Sequence, residues 1–327
     1  MLKVVSSTSM NSQCIIILCF FLTFSVNINP VTSVAASLFD PINVEYKDSL
    51  YSPELNLSVR IYLPNNATEN QKLPLLVYYH GGGFFIEYQF SPPSSNDFLS
   101  VLVLEANVIV VTVAYRLAKV CTLPCAYDDS WTALQWVASH LNRDGPEDWL
   151  NQHADFQRVF LSGDSAGANI AHQMALKLGT QETVKGFNVS GLILSHPYFW
   201  GKDPISGEIT GPLYRQILRF GWVIACPNCE LDDPWINPAT DPNLARVATP
   251  RLQVFLSELD IWRIRGSYYA QKLKQSGWSG YQEVIEFKGE GHAFHLKNIT
   301  SRNSTLLRYR MANFINRDWS DASIQSK

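Results

Sequence analysis

An apolar run, Val159-Phe160-Leu161, leads into Gly163-Asp164-Ser165-Ala166-Gly167, and a run with helical spacing, Ala168 to Leu178, leads out of it. A chain passes from strand to helix in so few residues only through a sharp turn, which glycines permit because they carry no Cβ. The G-x-S-x-G spacing puts Ser165 on the corner with its hydroxyl exposed, as a candidate nucleophile. The first amide of the helix, on Ala166, points at the same spot and can stabilise a developing oxyanion. A glycine-rich turn without chemistry is the competing reading of the pentapeptide, and the choice between the two depends on which partners the rest of the chain supplies.

Leu57 to Leu63 alternates and reads as a half-exposed strand. Leu73 to Tyr79 and Asn107 to Tyr115 are nearly unbroken apolar and β-branched runs, as buried central strands require. Between them, Asn96 to Glu105 reads as a helix. Asp128-Asp129-Ser130 read as caps in front of a helix from Trp131. Further strands are expected at Arg158 to Ser162, Gly191 to Ser195, Leu252 to Ser257 and Glu283 to Phe287, and further helices at Arg263 to Lys274 and Thr305 to Ile315. Strands alternating with helices imply a mostly parallel sheet covered on both faces. The stretch 199–242 breaks the alternation. It is rich in Pro, Trp and Asp, has one helical piece near Leu213 to Arg219, and reads as a cap inserted over a pocket.

A serine nucleophile needs a base, and the base needs an orienting carboxylate. In the α/β-hydrolase fold the order along the chain is serine, acid, histidine. Of seven histidines, only His292 and His295 follow the last strands. His292 lies in a loop after Gly289-Glu290-Gly291 and suits an imidazole reaching back over a strand edge. His295 is the rival and reads as a packed or capping residue. For the acid, Asp260 sits three residues past a strand, with Glu258 as its nearest rival. Asp232, Asp233 and Asp241 read as turn residues. Upstream, His80-Gly81-Gly82-Gly83 ends a buried strand, and its glycines let amides turn into the pocket. The expected oxyanion donors are the amides of Gly82, Gly83 and Ala166. Each piece lies at the carboxyl end of an expected strand, where ligands bind in such sheets.

The ends and the composition bound the rest. Lys3 followed by Cys14 to Leu22 and then Val34-Ala35-Ala36 reads as a secretory signal peptide or an apolar leader over 1–36, with the α/β domain over 37–327. The apolar run is short for a stable membrane span. Five N-x-[ST] sites, at Asn56, Asn66, Asn188, Asn298 and Asn303, and four cysteines beyond the leader, Cys121, Cys125, Cys226 and Cys229, fit a secreted or endomembrane glycoprotein; the alternative is a cytoplasmic protein. A formal net charge of −3 offers no basic face for nucleic acid. Cys226-Pro227-Asn228-Cys229 has no second C-x-x-C to complete a zinc site, so neither a metal nor a cofactor is expected.

From about Asp40 to Ile315 the chain resembles the plant carboxylesterases, a hormone-sensitive-lipase-like group that also holds 2-hydroxyisoflavanone dehydratases, tuliposide-converting enzymes and gibberellin receptors. The motifs that carry the resemblance are LVYYHGGGFF, AYDDSWTALQWVASH, GDSAGANIAH, HPYFWGKDPI, DDPWINPATDPNL and GHAFH. The resemblance implies a small-molecule ester substrate, a nucleophile at Ser165, an acid at Asp260, a base at His292, and oxyanion amides in the glycine loop and on Ala166. It also implies two alternatives: a lyase acting on a 2-hydroxyisoflavanone, or a hormone-binding relative. In the receptors the catalytic histidine is replaced, whereas here all three triad residues are present. Three features depart from the family pattern. The usual lid-forming leader is replaced by the signal-like stretch. The usual Pro-Glu-His after Tyr-Arg-x-Ala gives way to Lys119-Val120-Cys121. The cap loop around Cys226 and Cys229 is shortened.

Overall fold

Runs of consecutive Val, Ile and Leu find no water-facing side, and they form the centre of an eight-stranded sheet. The computed structural model describes residues 43–68, 71–86, 94–181 and 186–318. The expected leader over 1–36 lies outside the described residues. The strands are β1 (Val44–Ser52), β2 (Leu57–Pro64), β3 (Leu73–Tyr79), β4 (Ile109–Val113), β5 (Ala154–Asp164), β6 (Val189–Ser195), β7 (Arg251–Ser257) and β8 (Tyr281–Phe287). They lie in the order β1-β2-β4-β3-β5-β6-β7-β8. β2 runs antiparallel to both β1 and β4, and every pair from β4 to β8 is parallel. All residues of β3, β4 and β7 are buried; β3 and β4 are nearly unbroken apolar runs, whereas β7 also buries Arg251 and Gln253.

The helices are α1 (Ser94–Ala106), α2 (Cys125–Ala138), α3 (Asp148–His153), α4 (Ala166–Thr180), α5 (Pro212–Ala225), α6 (Arg263–Gln275), α7 (Phe294–Lys297) and α8 (Arg302–Asn316). Side chains alternate across a strand, so each strand feeds two cores. Leu75, Val77 and Leu161 pack with Leu134 of α2, Ile170 and Met174 of α4 and Tyr269 of α6. Leu76, Tyr78 and Phe160 pack on the opposite face with Phe98 and Leu102 of α1 and Leu307 and Met311 of α8. Because the strands are parallel, the turns after β3, β5, β7 and β8 all open at one edge of the sheet, and the candidate residues gather there.

Several local expectations are corrected. β2 is less exposed than its alternation suggests: Tyr62 on its polar face is buried, packed with Val103 and Leu99 of α1. Asp128, Asp129 and Ser130 do not cap α2, which already begins at Cys125. Asp129 instead takes a bidentate ion pair from Arg116, at 2.9 and 2.7 Å, and also accepts the Arg116 backbone N–H. That pairing anchors the departing 117–122 loop, with Tyr51 holding Ala114 O by its hydroxyl at 2.6 Å. β1, α3 and α7 have no counterpart among the expected elements. β1 is an edge strand whose middle is largely exposed and polar, so it lacks an apolar signature.

The 199–242 segment contains α5, anchored by the fully buried Trp222. It is fastened to the turns at the carboxyl edge. Arg265 of α6, itself buried, grips Glu208 through two bonds of 3.0 and 2.9 Å. Leu123 N–H donates to Ala225 O at the end of α5. Disulfides join Cys121 to Cys125 and Cys226 to Cys229, on the two sides of that contact. Of the N-x-[ST] sites, Asn56, Asn66, Asn188 and Asn298 are exposed, and Asn303 is half-buried with its amide on Glu290. Among the described residues, no helix is long and apolar enough to cross a membrane, and no group of three His, Cys, Asp or Glu is placed to hold a metal.

Candidate active site

The turn from β5 to α4 is as tight as its sequence suggests. Ser165 has φ 55° and ψ −118°, a conformation that side-chain-bearing residues rarely occupy. The strain is held by bonds on both sides: Ser165 N–H donates to Ser195 O at 2.9 Å, and Ser165 O accepts from Tyr198 N–H at 3.0 Å. The flanking glycines are dictated by contact. A Cβ on Gly167 would lie 1.9 Å from Tyr79 O, and one on Gly163 would lie 2.3 Å from the Gly167 carbonyl carbon. Only glycines let α4 start this close to β3.

The serine, acid and base meet. His292 Nε2 lies 2.9 Å from Ser165 Oγ, and His292 Nδ1 lies 2.7 Å from Asp260 Oδ2. With its proton on Nδ1 the ring donates to Asp260 and accepts from the serine hydroxyl. The other Asp260 oxygen accepts Trp262 N–H at 3.0 Å. Burial pushes the Asp260 carboxyl up. The neighbouring His292, acting by charge and by hydrogen bond, pulls it down, helped by His196 and Trp262 N–H; the net result lies below the usual carboxylate value. The Trp262 ring packs against His292 with centroids 4.6 Å apart, so the imidazole is held both by its acid and by an aromatic wall.

The rivals are elsewhere. His295 is buried in α7, its ring stacked on His196 at 5.2 Å. Glu258 turns to the surface, where it accepts Gly289 N–H and pairs with Lys288. Asp233 accepts Trp235 N–H in a local turn, as expected for a turn residue, and Asp241 does the same for Asn243. Asp232 instead links Lys202 N–H and Asn237 across the cap.

The glycine loop after β3 faces the serine. Gly82 and Gly83 have φ of 107° and 61°, and a Cβ on Gly82 would lie 2.1 Å from Ile86 O. Behind the loop, Tyr115 stacks on His80 at 4.3 Å and donates to His80 O at 2.7 Å. Burial pushes the His80 imidazole down to about 4, so it stays neutral and packs. Ala166, as the first residue of α4, has an N–H with no acceptor inside the helix.

Three participants escape sequence reasoning. Trp262 is one. His196 is another: it has φ 49°, bonds Ser257 Oγ at 2.7 Å and lies edge-on to His292 at 5.8 Å. The third is the pairing of Asp164 with Tyr78, in which the Tyr78 hydroxyl donates to Asp164 Oδ1 across 86 residues of sequence. A histidine directly after an expected strand is the one available signal, at His196; nothing local marks the other two.

The comparisons with known proteins agree with this architecture. Residues 76–296 match the family model described as alpha/beta hydrolase fold. A protein of Arabidopsis thaliana named "Probable carboxylesterase 7" is 43% identical over 290 residues, which cover 88% of this chain and 91% of that one. The chain belongs to the plant carboxylesterase family of α/β-hydrolases. The 2-hydroxyisoflavanone dehydratase of Glycyrrhiza echinata is 39% identical to this family member over 282 residues, 83% of this chain and 85% of that one. Among solved structures, a bacterial heroin esterase superposes with a TM-score of 0.69 at 24% identity, over 86% of this chain and 87% of its own, a likeness of fold. The match over 76–296 spans the glycine loop, the elbow and the turns carrying Asp260 and His292.

Proposed function

We propose that the protein is a serine carboxylesterase acting on small carboxylic esters. The observation that carries this reading is the hydrogen-bonded line Ser165–His292–Asp260 at a serine held in a strained turn. His292 takes the hydroxyl proton as Ser165 Oγ attacks the ester carbonyl carbon, and Asp260 keeps the imidazole in the required tautomer and stabilises its charge. The carbonyl oxygen becomes an oxyanion received by the amides of Gly82, Gly83 and Ala166. His292 returns the proton to the leaving alcohol, and water, activated by the same imidazole, releases the acid from the acyl-enzyme. Each oxyanion donor is worth about 3–4 kcal/mol in such a reaction, so the glycine loop matters nearly as much as the triad.

Hydrolysis of short-chain p-nitrophenyl esters by the protein beside Ser165→Ala tests the proposal. Turnover by the parent and its loss in the variant are expected; equal release by both overturns it. A second reading, dehydration of a 2-hydroxyisoflavanone on the same site, is supported by the 39% identity to a dehydratase. Formation of the isoflavone from that substrate, without ester turnover, would favour it. We assign the protein to the secretory route on two supports: paired cysteines and four exposed N-x-[ST] asparagines. A mature terminus near Ala36 and glycan on Asn56 are the expected findings; an intact Met1 in a cytosolic fraction would contradict them.

A further inference from the structure

Asp164 lies beside the nucleophile, yet the mechanism above gives it nothing to do. It is buried, with 3% of its surface exposed, at the end of β5. Its carboxylate receives two donors from elements far away in sequence: the Tyr78 hydroxyl on β3 and the Gly81 backbone N–H in the glycine loop. The Gly81 backbone approaches so closely that a Cβ there would lie 2.5 Å from Asp164 Oδ2 and 3.3 Å from Ser165 Cβ. The next two residues, Gly82 and Gly83, are the expected oxyanion donors, and both sit at positive φ, where glycine has no intrinsic preference. A flexible loop of this kind holds its amides in place only if something rigid holds the loop.

We propose that Asp164 is a positioning residue that ties the glycine loop to the nucleophile, so that one carboxylate fixes Gly81 and thereby aims the Gly82 and Gly83 amides at the oxyanion. The inference rests on the esterase reading and adds to it a role for the second residue of the G-x-S-x-G motif. The other side of the loop is held independently by Tyr115 on His80 O, and the loop is thus clamped at two successive residues. The carboxylate is the better holder of two donors than a neutral acid, which must itself donate one proton. Burial raises the Asp164 carboxyl to about 6, opposed by Tyr78, His292 and Gly81 N–H. Below that pH the clamp becomes neutral and gives up an acceptor. The titratable groups facing it are Tyr78 from β3, whose hydroxyl burial keeps protonated, and His292 from the turn after β8; His80 behind the loop stays neutral.

The test is the pH dependence of kcat for p-nitrophenyl acetate in the parent, Asp164→Asn and Tyr78→Phe, with folding checked by circular dichroism. An oxyanion loop acts in the transition state, so its loosening lowers kcat and leaves KM little changed. Asp164→Asn is expected to lose kcat by about 10- to 100-fold. In the parent, log kcat is expected to show a limb that steepens below about pH 6, where Asp164 takes its proton; in Asp164→Asn that added steepness is lost. Tyr78→Phe keeps the carboxylate and the Gly81 bond, so it retains the steep limb and loses only a few-fold in kcat. If Asp164→Asn does not fold, the Tyr78→Phe prediction stands by itself as the test. Wild-type kcat in Asp164→Asn, an unaltered limb, or a loss seen wholly in KM overturns the inference while leaving the esterase reading intact. Absence of Ser165-dependent turnover in the parent overturns that reading instead.

Discussion

Two aspartates sit on opposite sides of the same nucleophile, both almost completely buried, and the site treats them in opposite ways. Asp260, in the turn after β7, lies against His292, and its carboxyl is held below the ordinary value in spite of burial. Asp164, one residue before the serine, is approached by the neutral donors Tyr78 and Gly81, and burial raises it to about 6. Depth in the protein is nearly the same for the two. What differs is the hydrogen-bond partner: Asp260 is bonded directly to an imidazole that can carry positive charge, whereas Asp164 is bonded to uncharged dipoles and feels His292 only through space. The first arrangement suits a carboxylate that must stay ionised while a proton crosses its neighbour. The second suits a clamp whose hold depends on pH.

The largest expected effect comes from removing the charge on the imidazole side. Asp260→Asn should leave the fold in place and lower kcat by about 10,000-fold, because the amide favours the wrong tautomer of His292. A small loss in steady-state assays would mean that the acid lies elsewhere, with Glu258 the first to examine. Next comes the contact that defines the other side. Gly81→Ala places a methyl group 2.5 Å from Asp164 Oδ2 and 2.9 Å from Asp164 O. It should cost about 1–3 kcal/mol in denaturant unfolding and lower kcat more than KM rises. Stability close to the parent's would show that the loop and Asp164 are not in such close contact.

The last contrast is the pH dependence of stability, and it has opposite signs at the two sites. Asp260, with its lowered value, contributes stability above the unfolded carboxyl value and loses it as pH falls. Asp164, with its raised value, binds its proton more tightly folded than unfolded. Its contribution is full below the unfolded carboxyl value and is lost as pH rises to about 6, on the order of 3 kcal/mol. Thermal melts from pH 4 to 7 should therefore show Asp164→Asn gaining on the parent as pH rises. Asp260→Asn should fall further behind the parent as pH rises from 4 through the lower part of that range. Parallel melting curves would erase the contrast.

Much of the site is legible in the sequence, and the reason lies in which physical signals are local. The turn at Ser165 is readable because one strand, two glycines and one helix are contiguous, and the contacts of Gly163 and Gly167 with each other and with Tyr79 O explain why the glycines are needed. β3 and β4 are readable because burial on both faces leaves almost every position apolar. β1 is invisible because an edge strand with an exposed, polar middle has no such constraint. Asp129 looks like a helix cap because its partner, Arg116, lies outside the helix, in the connection after β4. Tyr78 and Asp164 are 86 residues apart, and no spacing rule links them. The 117–122 loop, which departs from the family pattern, is nonetheless fixed by Arg116–Asp129 and by the Ala225 contact.

The central claim is that Ser165 is a nucleophile made reactive by His292. Mass spectrometry after exposure to a fluorophosphonate tests it most directly, because the reagent bonds covalently to an activated serine and needs no knowledge of the natural ester. The account predicts a single adduct on the peptide carrying Ser165, formed in the parent and almost abolished in His292→Ala. An adduct on another residue, or labelling of Ser165 at the same rate without His292, would contradict it.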